Sequence, residues 1–117
     1  MKRKVVLYNP TADFYTMPLA LLAVASHLDR ERYDPVIVDG RLEADPATAV
    51  RRAAEGAVCL GVTVLTGSPI RDAVRVSRAV KADQPELPII WGGWHPSMFP
   101  AECLAEPSVD VTVQGQG

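Results

Sequence analysis

Cysteine is scarce in this chain of 117 residues: only Cys59 and Cys103 occur, with no CxxC and no cluster of three. The segment therefore cannot by itself hold an iron–sulfur cluster or a structural zinc. Cys59 falls in an apolar strand pattern and Cys103 in a short helical one, so both read as buried structural thiols. An excess of positive charge is also missing, since the formal net charge is −2, which argues against nucleic acid as a partner. Lys2, Arg3 and Lys4 read as a solvated start. No apolar run reaches the roughly 18 residues of a membrane span. Asn9, Pro10 and Asp13 interrupt the start before a signal-peptide core could form, so a cytoplasmic protein is expected.

Several phosphate-gripping motifs are absent as well. The first strand is followed by Asn9-Pro10-Thr11-Ala12-Asp13 rather than G-x-G-x-x-G, and no GK[ST] follows any strand. A phosphoacceptor receiver needs an aspartate at the end of its third strand. Here that strand ends Thr63-Val64-Leu65-Thr66, without a carboxylate.

What is present is an ordinary apolar fraction, 48%, enough for the core of a single domain over residues 1–117. Strand and helix patterns alternate. Val5-Val6-Leu7-Tyr8 is a β-rich run, and Pro18 opens a helix with Leu21, Leu22, Ala25 and Leu28 at helical spacing. Val36-Ile37-Val38 forms a second strand, stopping at Asp39-Gly40. Asp45-Pro46 caps a helix that Gly56 ends. The third strand, 58–64, is apolar almost throughout and is expected to be central and buried on both faces. Ser68-Pro69 caps the next helix, with Ile70, Ala73, Val74 and Val80 inside and Arg71, Arg75, Arg78 and Lys81 on a solvated face. Residues 87–91 form a fourth strand, 100–104 a short helix and 109–113 a fifth strand.

This β-α-β order requires parallel strands joined by right-handed crossovers. The expected architecture is α/β: a flavodoxin-like five-stranded parallel sheet in order 2-1-3-4-5. Ligands of such sheets bind at the carboxyl ends of the strands, where the order reverses between the first and third. The loops at 9–17, 65–68 and 92–97 would all open on that rim. The sequence stops at Gln114-Gly115-Gln116-Gly117, where a further helix would cover the sheet, so the chain is expected to be a fragment with its final helix missing.

Two strand ends carry small or hydroxylated residues. Thr63, Thr66 and Ser68 offer hydroxyls, while Gly67, Gly92 and Gly93 leave room for a ligand or simply make tight turns. Asp39 could bind a ribose hydroxyl or cap its own loop. His27 reads as a surface residue.

Taken in order, Asn9-Pro10, the helix start at 18–28, Val38-Asp39, Gly61-Val62-Thr63-Val64-Leu65-Thr66-Gly67-Ser68, residues 81–85, Gly92-Gly93-Trp94-His95-Pro96-Ser97 and the stretch from Val109-Asp110 to Gly115 carry a family pattern. It resembles the amino-terminal cobalamin-binding domain that precedes the catalytic barrel of radical S-adenosylmethionine (SAM) proteins, over essentially the whole chain. The resemblance implies cobalamin as cofactor, and a downstream catalytic domain of the same chain as partner. That domain would carry the iron–sulfur cluster, the S-adenosylmethionine and the chemistry, and this segment alone would not be catalytic. It further implies cofactor contacts from Asn9, Pro10 and Thr11 in the first loop, and from Thr63, Leu65, Thr66, Gly67 and Ser68 in the second. The third set is Gly92, Gly93, His95 and Pro96, with Gly115 at the end of the chain.

The chain departs from related patterns twice. Cobalamin carriers with a protein lower ligand place DxHxxG after the first strand, whereas residues 9–17 contain no histidine. A bound cobalamin would thus lack protein imidazole on its lower face, and no metal ligand is assigned. His95, beside a proline, is read as stabilising its turn or touching the cofactor tail. Radical SAM relatives usually end this segment Gly-Glu-Gly; here it is Gly115-Gln116-Gly117. Two other readings stay open: an interaction or scaffold module that kept the fold but lost the cofactor, and a flavodoxin-like nucleotide or flavin binder. Aromatics are only 6% of the chain, yet Tyr15, Trp91 and Trp94 could supply a stacking face.

Overall fold

The computed structural model describes residues 2–14 and 17–115. Five strands form one parallel sheet: β1 (Arg3–Asn9), β2 (Tyr33–Asp39), β3 (Ala57–Thr63), β4 (Ile89–Gly92) and β5 (Val111–Thr112), in the order 2-1-3-4-5. The expected flavodoxin-like topology is therefore present. Helices α1 (Leu19–Ser26), α2 (Pro46–Ala53), α3 (Ser68–Asp83), α4 (Trp94–Met98) and α5 (Pro100–Leu104) connect them.

The register explains which side chains meet. Tyr8 lies level with Val38 and Val62, and Val62 with Trp91. This row and Val6, Leu60, Val64 and Ile89 face one side of the sheet. There they pack on Val50 and Ala54 of α2, Ala73, Val76 and Val80 of α3, and Cys103 of α5. On the opposite side Val5 and Leu7 meet Leu21 and Ala25 of α1. Asp45 accepts the Thr48 backbone N–H at 3.3 Å, so the expected cap of α2 is made.

The third strand is central but not buried on both faces. Leu60 and Val62 are buried, whereas the alternating Cys59, Gly61 and Thr63 are only half-buried. The cause is the reach of α1, which touches β1 and β2, so its side of the sheet is uncovered over β4 and β5 among the described residues. Val111, level with Ile90 on that side, is exposed. Leu22 of α1, one of the apolar residues at helical spacing, is also exposed, because in this helix Leu21 and Ala25 are the buried residues.

Three local readings change. Ser68 does not cap α3 with its side chain; Gly67 is the N-cap, and Ser68 begins the helix. The segment 92–97 is not a loop, since α4 starts directly after Gly93. The solvated face of α3 is laced with ion pairs: Arg75–Asp72, Arg78–Glu106 and Lys81–Asp110. No helix among the described residues is long and apolar enough to cross a membrane.

Candidate functional site

At the carboxyl edge of the sheet, β1 and β3 lead their loops in opposite directions. A cavity of about 110 Å³ opens in the fork, lined by Asn9, Pro10, Met17, Pro18, Ala20, Thr63, Leu65 and Pro69. Four of the residues singled out in the sequence therefore converge here: Asn9, Pro10, Thr63 and Leu65. Asn9 is buried at the end of β1, and its Nδ2 donates to Asp39 Oδ1 at 3.3 Å. Thr63 ends β3 on the face that α1 leaves uncovered.

Asp39 is engaged by its own loop. Its carboxylate accepts the Arg41 backbone N–H at 3.1 Å and is gripped by the Arg41 guanidinium, 2.7 Å from Nη2 to Oδ2. These bonds hold its carboxyl below the usual carboxylate range. Of its two readings, the loop-capping one is what the geometry shows.

A second, more open cavity of about 360 Å³ lies on the other side of the first loop. It is lined by Thr11, Ala12 and Asp13 from the loop and by Ser68, Arg71, Asp72 and Arg75 from α3. Thr11 and Ser68 thus belong to a different recess from Asn9 and Thr63. Between the two recesses the loop is tied to α3: Thr11 N donates to Asp72 Oδ2 at 2.9 Å, and Asp13 N to Ser68 Oγ at 3.0 Å.

The remaining candidates cluster at the end of β4. Gly92 lies level with Thr63, and a Cβ built on it would meet only the Val113 Cβ, at 3.9 Å. That is open space on the uncovered face. Gly93 is different. Its φ is +100°, and a Cβ there would stand 3.1 Å from Thr63 Oγ1 and 3.2 Å from the Val64 backbone. The tight approach of β4 to β3 already requires glycine at 93, a demand of the chain itself. Gly67, with φ of +114° and no atom near a built Cβ, makes the turn into α3.

His95 donates its backbone N–H to Val64 O at 3.0 Å. Its Nδ1 lies 3.3 Å from Thr66 Oγ1, and its ring packs 5.3 Å from that of Phe99. These contacts tie His95 to the end of β3 and the turn that follows it. Pro96 is buried within α4. Gly115 donates its N–H to Ser97 Oγ at 2.9 Å, tying the end of the described chain to α4.

The aromatic stacking face divides. Trp94 is exposed, but Trp91 is sealed in the core with its indole N–H donated to Ser77 Oγ at 3.1 Å, so it cannot stack on a ligand. Tyr15 lies outside the described residues, as does the Gln116-Gly117 end. Both cysteine thiols are free, and burial pushes each up. Cys103 is buried as expected, while Cys59 is only half-buried, packed beside Val5 against the α1 side of the core. No group of three or more His, Cys, Asp or Glu residues among the described residues could hold a metal ion.

One constellation escaped the sequence reading. Tyr8, fully buried, donates its hydroxyl to Asp72 Oδ2 at 2.5 Å, and Arg75 Nη2 donates to Asp72 Oδ1 at 2.7 Å. Burial and the adjacent carboxylate push the Tyr8 hydroxyl well above its usual pKa, so it stays a donor. A periodic signal was there to be read. The buried stripe of α3 runs Pro69, Asp72, Ala73, Val76, Ser77, Val80, with Asp72 and Ser77 at positions that otherwise carry apolar residues.

Comparison with known proteins accords with this geometry. No curated protein matches the chain. The B12 binding domain matches residues 5–117, nearly the whole length, from Val5 in β1 to the last glycine. The parallel sheet in order 2-1-3-4-5, with a recess at its reversal point, is consistent with that match, and the chain belongs to the B12 binding domain family.

Proposed function

We propose that this domain holds a corrinoid, with its nucleotide tail along the carboxyl edge of β3 and β4, for a radical SAM catalytic domain of the same protein. Family membership over residues 5–117 carries the corrinoid half of the reading. The radical SAM half rests on the order of the motifs from Asn9-Pro10 to Gly115. The residues present fit such a tail in one specific respect: the floor it would cross carries no side chain at Gly92, where a Cβ would fill otherwise open space. Thr63, level with Gly92, and Leu65, which shares a cavity with Asn9 and Pro10, would flank it.

In this reading Thr63 and Thr66 offer hydroxyls to the polar tail, and Asn9 and Pro10 form the wall toward β1. The corrinoid supplies cobalt-centred chemistry when bound; the domain binds and orients it. Residues 9–17 contain no histidine, so the lower cobalt face receives no imidazole from this loop.

The test is an absorbance spectrum of purified protein after incubation with hydroxocobalamin and removal of excess. Retained corrinoid bands at about one equivalent support the reading; a spectrum of protein alone overturns it. The catalytic half is tested in the parent polypeptide. A CxxxCxxC motif downstream of residue 117 that reconstitutes an iron–sulfur cluster supports it, and a parent lacking any such motif refutes it.

A further inference from the structure

The buried Tyr8–Asp72 pair has no role in the binding floor just described, and an apolar pair of similar shape would pack there at no electrostatic cost. Asp72 is 5% exposed and Tyr8 0%. Three donors converge on this one carboxylate: the Tyr8 hydroxyl, the Thr11 backbone N–H and the Arg75 guanidinium. Two of the three come from β1 and the loop that follows it. The knot is closed from above by Gly40, where a Cβ would fall 2.6 Å from Tyr8 Oη and 2.9 Å from Thr11 N. A side chain at position 40 would therefore push directly on the group that holds the loop.

Asn9 and Pro10 line the first cavity, and Thr11 is the next residue. Its bond to Asp72, with that of Asp13 N to Ser68 Oγ, staples the loop to α3 at two points on the side away from the cavity. Where the loop sits decides the width of the fork between β1 and β3.

We propose that Asp72, held by Tyr8, is a positioning residue: it fixes the first loop at the spacing the corrinoid needs, without touching the corrinoid. The inference rests on the corrinoid reading above and extends it to residues outside the cavity. Arg75 occupies one carboxylate oxygen of Asp72, while the other serves Tyr8 and Thr11 together. Asp72→Asn keeps one acceptor oxygen for donors on two sides, so either Arg75 or the Tyr8–Thr11 pair faces an amide N–H. The tie to Thr11 weakens and the loop is freed to move while the sheet stays intact.

The experiment compares wild type with Asp72→Asn, Tyr8→Phe and, as a control in the same helix, Val76→Ala, by two readouts. The first is amide hydrogen exchange at Thr11 and Asp13 in the ligand-free protein. The second is hydroxocobalamin titration, with the absorbance spectrum of the bound form. Asp72→Asn should speed exchange at Thr11 and raise the Kd by about tenfold, as expected for a hydrogen bond to a charged group. Tyr8→Phe should do the same to a smaller degree, and it keeps the test decisive if Asp72→Asn does not fold. Val76→Ala removes buried core volume and should lower the melting temperature, with neither Thr11 exchange nor the Kd changed. Unchanged exchange and Kd in both tether variants would overturn the proposal. So would a Kd in Val76→Ala that rises as far as in Asp72→Asn, because the effect would then be loss of stability alone. If wild type fails to bind hydroxocobalamin, the functional reading falls and the cofactor role of Asp72 with it; the exchange data still decide the tether separately.

Discussion

The Trp91 indole N–H and the Ser77 hydroxyl meet at 3.1 Å inside the core, each fully or almost fully buried. Trp91 comes from β4 and Ser77 from α3, so the bond joins the sheet to the helix that covers it. A buried indole N–H without an acceptor costs its desolvation. Ser77→Ala should therefore destabilise the domain by about 1–3 kcal/mol, measured by urea unfolding. Because Trp91 faces away from the candidate groove, hydroxocobalamin affinity should not change. A weakened affinity with unaltered stability would return Trp91 to the ligand.

The adjacent glycines 92 and 93 should separate folding from binding. Gly93 has φ of +100° and Val64 backbone atoms at 3.2 Å from a built Cβ, so Gly93→Ala should cost about 1–3 kcal/mol. A larger residue such as leucine at 93 would compound the loss, and its effect on binding could not be separated from the fold. Gly92→Leu meets open space beyond the Val113 Cβ. It should leave the circular dichroism spectrum and unfolding midpoint near wild type while abolishing corrinoid binding. Full binding by folded Gly92→Leu would remove the groove.

Acid should loosen the fold through Asp39 and Glu106. Bonds from Arg41 hold the Asp39 carboxyl below its ordinary value of 3.8, and bonds from Arg78 hold Glu106 below 4.5. A depressed folded pKa adds stability that is complete above the unfolded value and is lost as pH falls through the folded one. Stability should thus be level near neutrality and decline below about pH 4.5. Asp39→Asn should lower the plateau and flatten the decline, as read from urea midpoints between pH 7 and 3.

The lower cobalt face can be read by electron paramagnetic resonance. With no histidine at 9–17, His95 Nδ1 beside Thr66 Oγ1, and the cofactor's own dimethylbenzimidazole displaced with the tail into the groove beneath Thr63 and Thr66, reduced cobalamin-loaded protein should lack nitrogen superhyperfine splitting. A nitrogen triplet that vanishes in His95→Ala would make His95 a ligand.

The topology was legible because it depends on apolar runs such as Val5-Val6-Leu7-Tyr8 and on helix-length connections, both local properties. The burial of β3 was overestimated because 58–64 reads as apolar from one strand alone. Whether a helix covers Gly61 and Thr63 depends on the short reach of α1. The recess was legible in part. Asn9, Pro10, Thr63 and Leu65 sit at strand ends, where alternation stops and small polar residues begin. Pro69 and Ala20 were not, because their place in the cavity comes from the angles of α3 and α1 against the sheet. Ser68 looked like a helix cap, but its hydroxyl serves the Asp13 N–H, a partner 55 positions away that no local pattern reveals.

The outermost strand is held by little ladder. β5 pairs through only Val111 and Thr112, and its approach is secured by Asp110, whose Oδ2 accepts both Ile89 N at 2.8 Å and Lys81 Nζ at 2.5 Å. Under a pulling force applied at the carboxyl end, this strand should be the first to peel, one bond after another. The other four strands would remain as a mechanically separate block. Since Asp110 shares one oxygen between α3 and β4, that first yielding step would be set by a carboxylate clasp.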